Sequence, residues 1–437
     1  MNDTFVINTK CGEVLGRRCS EGLIYTGIPF ATAGRFEKPV PVTHWDDCFD
    51  ATRPAVEFPQ LSTYVDDSHR FYTKEFRSGI KYQYDENLLT LNIIAPENAE
   101  NCPVLVYIHG GGFYTGKVEE DPVGTSFEYA KRGIILVSIG YRLNVFGLYR
   151  CSNLCFYDQV CAINWIRDNI SDYGGDGNRI TISGHSAGAI SVMDLLLTDR
   201  LKGIINGAVM ISGGGFFPSF GNGFTPEEAQ PFWDLVMKNA GASSDEELKK
   251  VPAETLWRSW MDTKAEHNHL RLMNPGPDGV MLPSQPLEIK KSGKMLDVPI
   301  MIGVTSQDMI FPLILFKMCV DFCKWSVKRG RKPVYAYYFD RTPPGNSYKA
   351  FHGADLWYFF GNFKHSWRPF GAQDEELKER MAGSIEKFVK EGNPGWDSFD
   401  VKNRKLKYFN TNGPEYIKPY KCYPDLIKYS LFDKGPF

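Results

Sequence analysis

Ser186 lies in the stretch RITISGHSAGAISVMDLLL, between Gly184 and Gly188, after a run that reads as a strand and before one that reads as a helix. The two glycines leave room for a sharp strand-to-helix turn with the serine at its apex, the G-x-S-x-G pattern in the context that gives it meaning. A serine there could equally be a helix cap, a position that favours the residue. A hydroxyl is a weak nucleophile at neutral pH, and to attack a carbonyl it needs a base, an acid behind the base, and donors for the oxygen that becomes negative.

The chain holds candidates for each role. In YIHGGGFY, Gly110, Gly111 and Gly112 can turn several backbone N–H groups toward one point, and the Ala187 N–H at the start of the following helix can join them. Of eight histidines (44, 69, 109, 185, 267, 269, 352 and 365), His185 adjoins the serine, but neighbouring side chains on a sharp turn diverge. His109 is placed to order the glycine loop, and His267 and His269 fall in an insertion that could line a pocket. His352, in YKAFHGADLWYFFG, comes a few residues after a strand ending near Asp340, where a base belongs. Asp308, just beyond VPIMIGVTSQD, is the leading acid, with Asp340 its main rival and Asp278 behind it; Asp355 is too near His352 in the chain. The order Ser186, Asp308, His352 in a triad must run nucleophile, acid, base for an elbow of this kind.

The elements that must position these residues are short apolar runs: 88–96, 103–109, 133–140, 179–184, 207–213, 298–304 and 333–339. Several are continuous rather than alternating, as expected of strands covered on both faces. Helical patterns separate them, including DQVCAINWIRDNISDYGG with its stop at Gly174–Gly175 and DEELKERMAGSIEKFVKEGNPG with its stop at Gly392. An amino-terminal hairpin turns at Gly12. The alternation predicts an α/β fold with a mostly parallel central sheet flanked by helices. No linker divides the chain, so residues 1–437 read as one catalytic domain, with 216–279 and 309–328 as insertions covering the site.

Formal net charge is −2, far from the basic balance of a nucleic-acid binder; the run KRGRK (328–332) reads as a solvated edge. No stretch of 18 apolar residues predicts a membrane span. The ten cysteines include four-residue offsets at 151/155 and 319/323 but no CxxC-like pairs with distant partners, so no metal is implied and most read as buried free thiols. The amino terminus carries no basic-then-apolar leader, and the expected location is cytoplasmic. No heptad or interface stripe marks an oligomer.

With NTKCGEVLG, YTGIPFA, DENLLTLNIIAP, VYIHGGGFYTG, SIGYRLNVFGL, DQVCAINWIRDNISDYGGDGNRITISGHSAGA, VPIMIGVTSQDM, FHGADLWYFFG and EGNPGW in this order, the chain resembles the type B carboxylesterase and cholinesterase family of α/β-hydrolases over nearly its whole length, in a shortened, bacterial-type form. The resemblance implies Ser186 as nucleophile, Asp308 as acid, His352 as base, and oxyanion donors at Gly111, Gly112 and Ala187. It also implies structural ion pairs Arg35–Glu86 and Arg142–Asp158. Three positions depart from the family pattern: His185 replaces the usual Glu before the nucleophile, Asp308 the commoner Glu, and Leu88 a cysteine of secreted relatives. Only 44 residues separate Asp308 from His352, about half the usual spacing, which predicts a reduced helical cover and an apolar, shorter or more open pocket.

The activity implied is hydrolysis of carboxylic esters through an acyl-enzyme, with an uncharged apolar or aryl ester and water as partners and no cofactor. An amidase, thioesterase or carbamate hydrolase would use the same triad, and a non-catalytic binding protein would share the scaffold.

Overall fold

The structure, a computed structural model, describes residues 3–76, 82–216, 223–267, 274–284, 286–308 and 312–422, together with 424 and 426. Its frame is a fourteen-stranded mixed sheet. The chain enters through an antiparallel meander, β1 (Asp3–Thr9), β2 (Gly12–Cys19) and β3 (Gly22–Thr32), joined by β4 (Leu88–Ala95). Strands β5 (Cys102–Ile108), β6 (Ile135–Ile139), β7 (Gly175–His185), β8 (Ile205–Ile211), β9 (Ile300–Thr305) and β10 (Val334–Phe339) follow, then β11 (Leu406–Phe409) and β12 (Tyr416–Ile417). In space the order is β1-β2-β3-β4-β6-β5-β7-β8-β9-β10-β11-β12, parallel from β6 to β11. This is the mostly parallel, helix-flanked sheet of an α/β-hydrolase.

The continuous apolar runs follow from burial on both faces. Along β5, Val104, Val106 and Ile108 join one core cluster while Leu105 and Tyr107 join another on the opposite face. The first cluster packs α1 (Leu154–Asn169) and α2 (Ala187–Leu195) against the sheet. A third cluster, outside the sheet, gathers α3 (Pro226–Asn239) and α4 (Ala253–His267) around Trp233 and Trp260, with Val145, Phe146 and Tyr149 beneath them. Helix α3 starts where its sequence says it should. Thr225 Oγ1 accepts the Glu228 N–H at 3.2 Å, Glu228 Oε2 accepts the Thr225 N–H at 2.9 Å, and Pro226 fills the first helical position.

Helix α5 (Pro312–Lys328) lies against β9 and β10, with Phe316, Phe322 and Cys323 in the first cluster. The second cluster is closed by α6 (Ala354–Phe360) and α7 (Ala372–Glu391). Helix α1 passes into a tight turn at Ile170–Tyr173 and ends at Gly174, whose φ of 82° is the left-handed cap the sequence called for. Six of the ten cysteines are buried. Among the described residues no helix is long and apolar enough to cross a membrane.

Candidate active site

Strand β7 delivers Ser186 to the turn before α2, and the backbone there is forced. Ser186 has φ 57° and ψ −121°, a conformation that L-residues rarely hold. Its N–H is fixed by the Ile211 carbonyl at 2.9 Å, while its own carbonyl accepts from Ala189 and Ile190 at 2.9 and 3.0 Å. The flanking glycines are required by contact: a Cβ on Gly184 would stand 2.3 Å from the Gly188 carbonyl oxygen, and one on Gly188 would stand 2.0 Å from that of Ile108. Strain of this kind persists only where the surroundings over-determine it, and it holds the hydroxyl out at the carboxyl edge of the sheet.

The glycine loop after β5 lies against this turn, with a Cβ built on Gly110 only 3.2 Å from Ser186 Cβ. Among the described residues the backbone N–H groups of Gly111, Gly112 and Ala187 have no acceptor. The loop is ordered as its sequence suggested. His109 Nδ1–H donates to the Gly110 carbonyl at 2.9 Å, its ring stacks on Tyr141 at 4.3 Å, and Tyr141 OH donates back to the His109 carbonyl at 2.8 Å.

His352, on the turn leading into α6, is buried, and its Nδ1–H donates to Asp308 Oδ1. Asp308 is fully buried, and its Oδ2 accepts the Thr305 N–H at 3.1 Å. The rivals are occupied elsewhere. Asp340 accepts from Tyr408 OH at 2.8 Å, and Asp278 accepts three successive N–H groups of 280–282 at 2.8–3.0 Å. His269 and the side chain of His267 lie outside the described residues.

Two further ionisable groups adjoin the pair, His185 beside His352 and Asp355 near Asp308. The His185 ring lies 4.4 Å from the His352 ring, tilted by 40°, and its buried Nε2 has no hydrogen-bond partner among the described residues. Burial first and the neighbouring His352 second push its pKa well below the usual range, so His185 is neutral rather than a cation reversing the family's negative charge. Asp355 takes a hydrogen bond from Tyr337 OH at 2.9 Å and lies at the backbone N–H groups of its own residue and of Leu356. Burial, then the nearby Asp308, raise its pKa to about 7.

Ser186, His352, His185 and the glycine loop line one cavity of about 600 Å³, a size typical of small-molecule sites. Another wall is the segment 61–76, which contributes Leu61, Phe71, Tyr72 and Phe76; Phe113, Ile190 and Leu356 add to the apolar lining, and Asp67, Arg70, Glu120 and Asp121 stand among it. The sequence reading passed over this wall. Of the two expected cover segments only Asn274 reaches the cavity among the described residues, and none of the described residues of α5 lines it.

Three ion pairs brace the site. Arg35 forks onto Glu86 and donates from Nη1 to the backbone carbonyls of Lys249 at 3.0 Å and of Val251. Arg142 and Asp158, both buried, meet at 2.8 and 2.6 Å, and the adjoining Asn144 N–H reaches the Phe113 carbonyl of the glycine loop at 2.6 Å. The third was not foreseen. Arg368 and Glu75 are wholly buried at 2.7 and 3.0 Å, and Glu75 also accepts from the Trp357 and Trp367 indoles at 2.8 and 3.1 Å. Its only signal in the sequence was an acidic residue between aromatics in FYTKEF, which any exposed helix could show.

The model of the carboxylesterase family matches residues 3–322 and 314–420 of this chain. The chain belongs to the carboxylesterase family. It is 28% identical to the para-nitrobenzyl esterase of Bacillus subtilis (strain 168), across 96% of this chain and 98% of that protein. It is 29% identical to liver carboxylesterase 1 of Oryctolagus cuniculus, across 69% of this chain and 58% of that one. A solved PNB esterase superposes on this carboxylesterase with a TM-score of 0.83 at 25% identity, covering 96% of this chain and 99% of the other. The enzyme is thus a serine hydrolase of carboxylic esters.

Proposed function

We propose that this carboxylesterase cleaves uncharged apolar or aryl esters through an acyl-enzyme on Ser186. The observation that carries the reading is the buried hydrogen bond from His352 to Asp308 in a cavity shared with Ser186 and the unpaired N–H groups of Gly111, Gly112 and Ala187. Asp308 fixes the histidine with its proton on Nδ1, which leaves Nε2 as the base. His352 takes the Ser186 proton as Oγ attacks the ester carbonyl, and the three N–H groups receive the oxyanion. The tetrahedral adduct collapses, the alkoxide leaves with the proton from His352, and water repeats the sequence to release the acid. Neutral His185 adds no charge at the position before the nucleophile, and among the described residues the charged groups that line the cavity are Asp67, Glu120 and Asp121 with Arg70. The lining by Phe71, Phe76, Phe113, Ile190 and Leu356 supports binding by buried apolar area.

Labelling with a fluorophosphonate, followed by peptide mapping, should place the adduct on Ser186. Asp308→Asn should lower kcat by up to about 10⁴-fold, as loss of a triad acid can, while Asp340→Asn changes it little. Full activity in Asp308→Asn with loss in Asp340→Asn would reassign the acid. A hydrolysis panel varying acyl length and alcohol bulk separately, with matched amides and thioesters, sets the substrate class. Faster turnover of an amide than of its ester would displace the ester reading.

A further inference from the structure

A second groove, of about 550 Å³, shares no residue with the serine cavity. It runs along the outer face of α1, between the loop 38–43 and the β1–β2 turn, and Arg200 stands at its rim. Its floor is apolar and aromatic: Tyr157, Val160 and Trp165 from α1, with Pro39 and Val42 opposite.

The charges around this floor are unbalanced. Lys38 Nζ lies 4.7 Å, and Arg200 Cζ 5.5 Å, from the centre of the Tyr157 ring. Neither side chain has an ion pair or a hydrogen bond among the described residues. Among the described residues the carboxylate lining the groove, Asp168, is already taken, because Arg167 grips both its oxygens at 2.7 and 3.0 Å, and Asp172, at the Lys10 end, accepts the Lys10 N–H at 2.7 Å. Lys10, at the far end, is spent on the Asp168 carbonyl at 2.6 Å and the Ser171 hydroxyl. Two unpaired cations on one ring repel each other, and both lie within a Debye length, about 8 Å at physiological ionic strength, of any anion seated at that ring.

From this pairing of an apolar floor with an uncompensated cationic rim we propose that the groove is a second binding site, for a small amphiphilic carboxylate. Lys38 and Arg200 hold the carboxylate, and the acyl or aryl body lies along Tyr157, Val160 and Trp165. Neutral amphiphiles lack the first contact and simple anions the second. The acids released by ester hydrolysis are ligands of this chemical class.

The test uses the full chain with Ser186 blocked by a phosphonate, so that the serine cavity is closed to competition. Calorimetric titration with decanoate should show saturable one-to-one binding, with decanol and acetate each weaker by at least about tenfold. The double variant Lys38→Ala/Arg200→Ala should weaken decanoate by at least about tenfold, with kcat/KM for 4-nitrophenyl butyrate in the unblocked enzyme kept within about twofold. Decanoate should slow alkylation of Cys161, which lines the groove, and leave the exposed Cys48 unaffected. No binding to the blocked protein, equal binding of decanol, undiminished binding in the double variant, or an unchanged rate at Cys161 would each overturn the proposal.

Discussion

The two walls of the serine cavity are held by different means. The wall with Ser186 and the glycine loop grows from strand ends, where the Ile211 carbonyl and the ladder of β5, β7 and β8 fix the backbone, and Arg142–Asp158 braces it from below. The other wall, 61–76, pairs with no strand of the sheet among the described residues and is held by side chains, chiefly Glu75 shared by Arg368, Trp357 and Trp367 and the Phe71 ring against Phe351, with the Phe76 carbonyl accepting the Asp121 N–H at 2.9 Å. Sheet ends hold reacting atoms to a fraction of an ångström. A segment hung on a side-chain cluster instead shapes what fits, and it can change without disturbing the chemistry.

The largest effect separates the walls outright. Ser186→Ala should cut kcat by about 10⁶-fold, leaving the residual turnover that donors and binding alone can give, with an unchanged thermal midpoint.

Breaking each brace comes next. Asp158→Asn and Glu75→Gln both strand a buried guanidinium, and each should cost about 3–5 kcal/mol of stability, read from denaturant unfolding. Below the unfolding transition their kinetics should diverge: Asp158→Asn lowers kcat through the oxyanion loop, and Glu75→Gln raises KM with kcat largely kept. Identical kinetic signatures would erase the distinction between the walls.

A smaller effect probes the first wall alone. His185→Glu would set a carboxylate against the His352 ring. Since an anion favours the imidazolium, the acid limb of the kcat/KM profile should move to higher pH by about one unit. Asp308, bonded to the ring, Asp355 near Asp308, and the cavity acids Asp67, Glu120 and Asp121 are present in both enzymes. His185→Gln should leave the limb in place.

The smallest lies beneath the elbow, in α2. Asp194 is buried with neither oxygen partnered among the described residues, and burial raises its pKa well above the ordinary value. Its contribution to stability is therefore full below the unfolded pKa of about 3.9 and is lost as pH rises toward the folded pKa. Asp194→Asn should stabilise the enzyme by about 1–3 kcal/mol at neutral pH and by nothing at pH 3, as melting curves across that range would show.

The same division governs what could be read in the sequence. The strands, the elbow and the glycine loop are legible because local chemistry dictates them: continuous apolar runs need two covered faces, and Gly184 and Gly188 are demanded by carbonyls within 2.3 Å. Asp308 and His352 stand at strand ends, so topology points to them. The second wall is opaque because Glu75 is separated from Arg368 by 293 positions, and no local pattern announces such a pair. The run KRGRK is solvated as read, with Lys328, Arg329 and Lys332 exposed, but part of its role is hidden for a related reason. Arg329 and Arg331 turn back to the carbonyls of Lys290, Lys291, Met295 and Leu296, and serve backbone acceptors that no side-chain pattern reveals.

Arg35 adds a consequence for how such enzymes diversify. Its grip on the stretch ahead of α4 is on main-chain oxygens at 249 and 251, not on side chains. Residue identity there is consequently free to drift, whereas the path of the chain is not. Swapping this segment for a relative's should succeed when the incoming loop presents two carbonyls at the same spot, whatever letters it is spelled in.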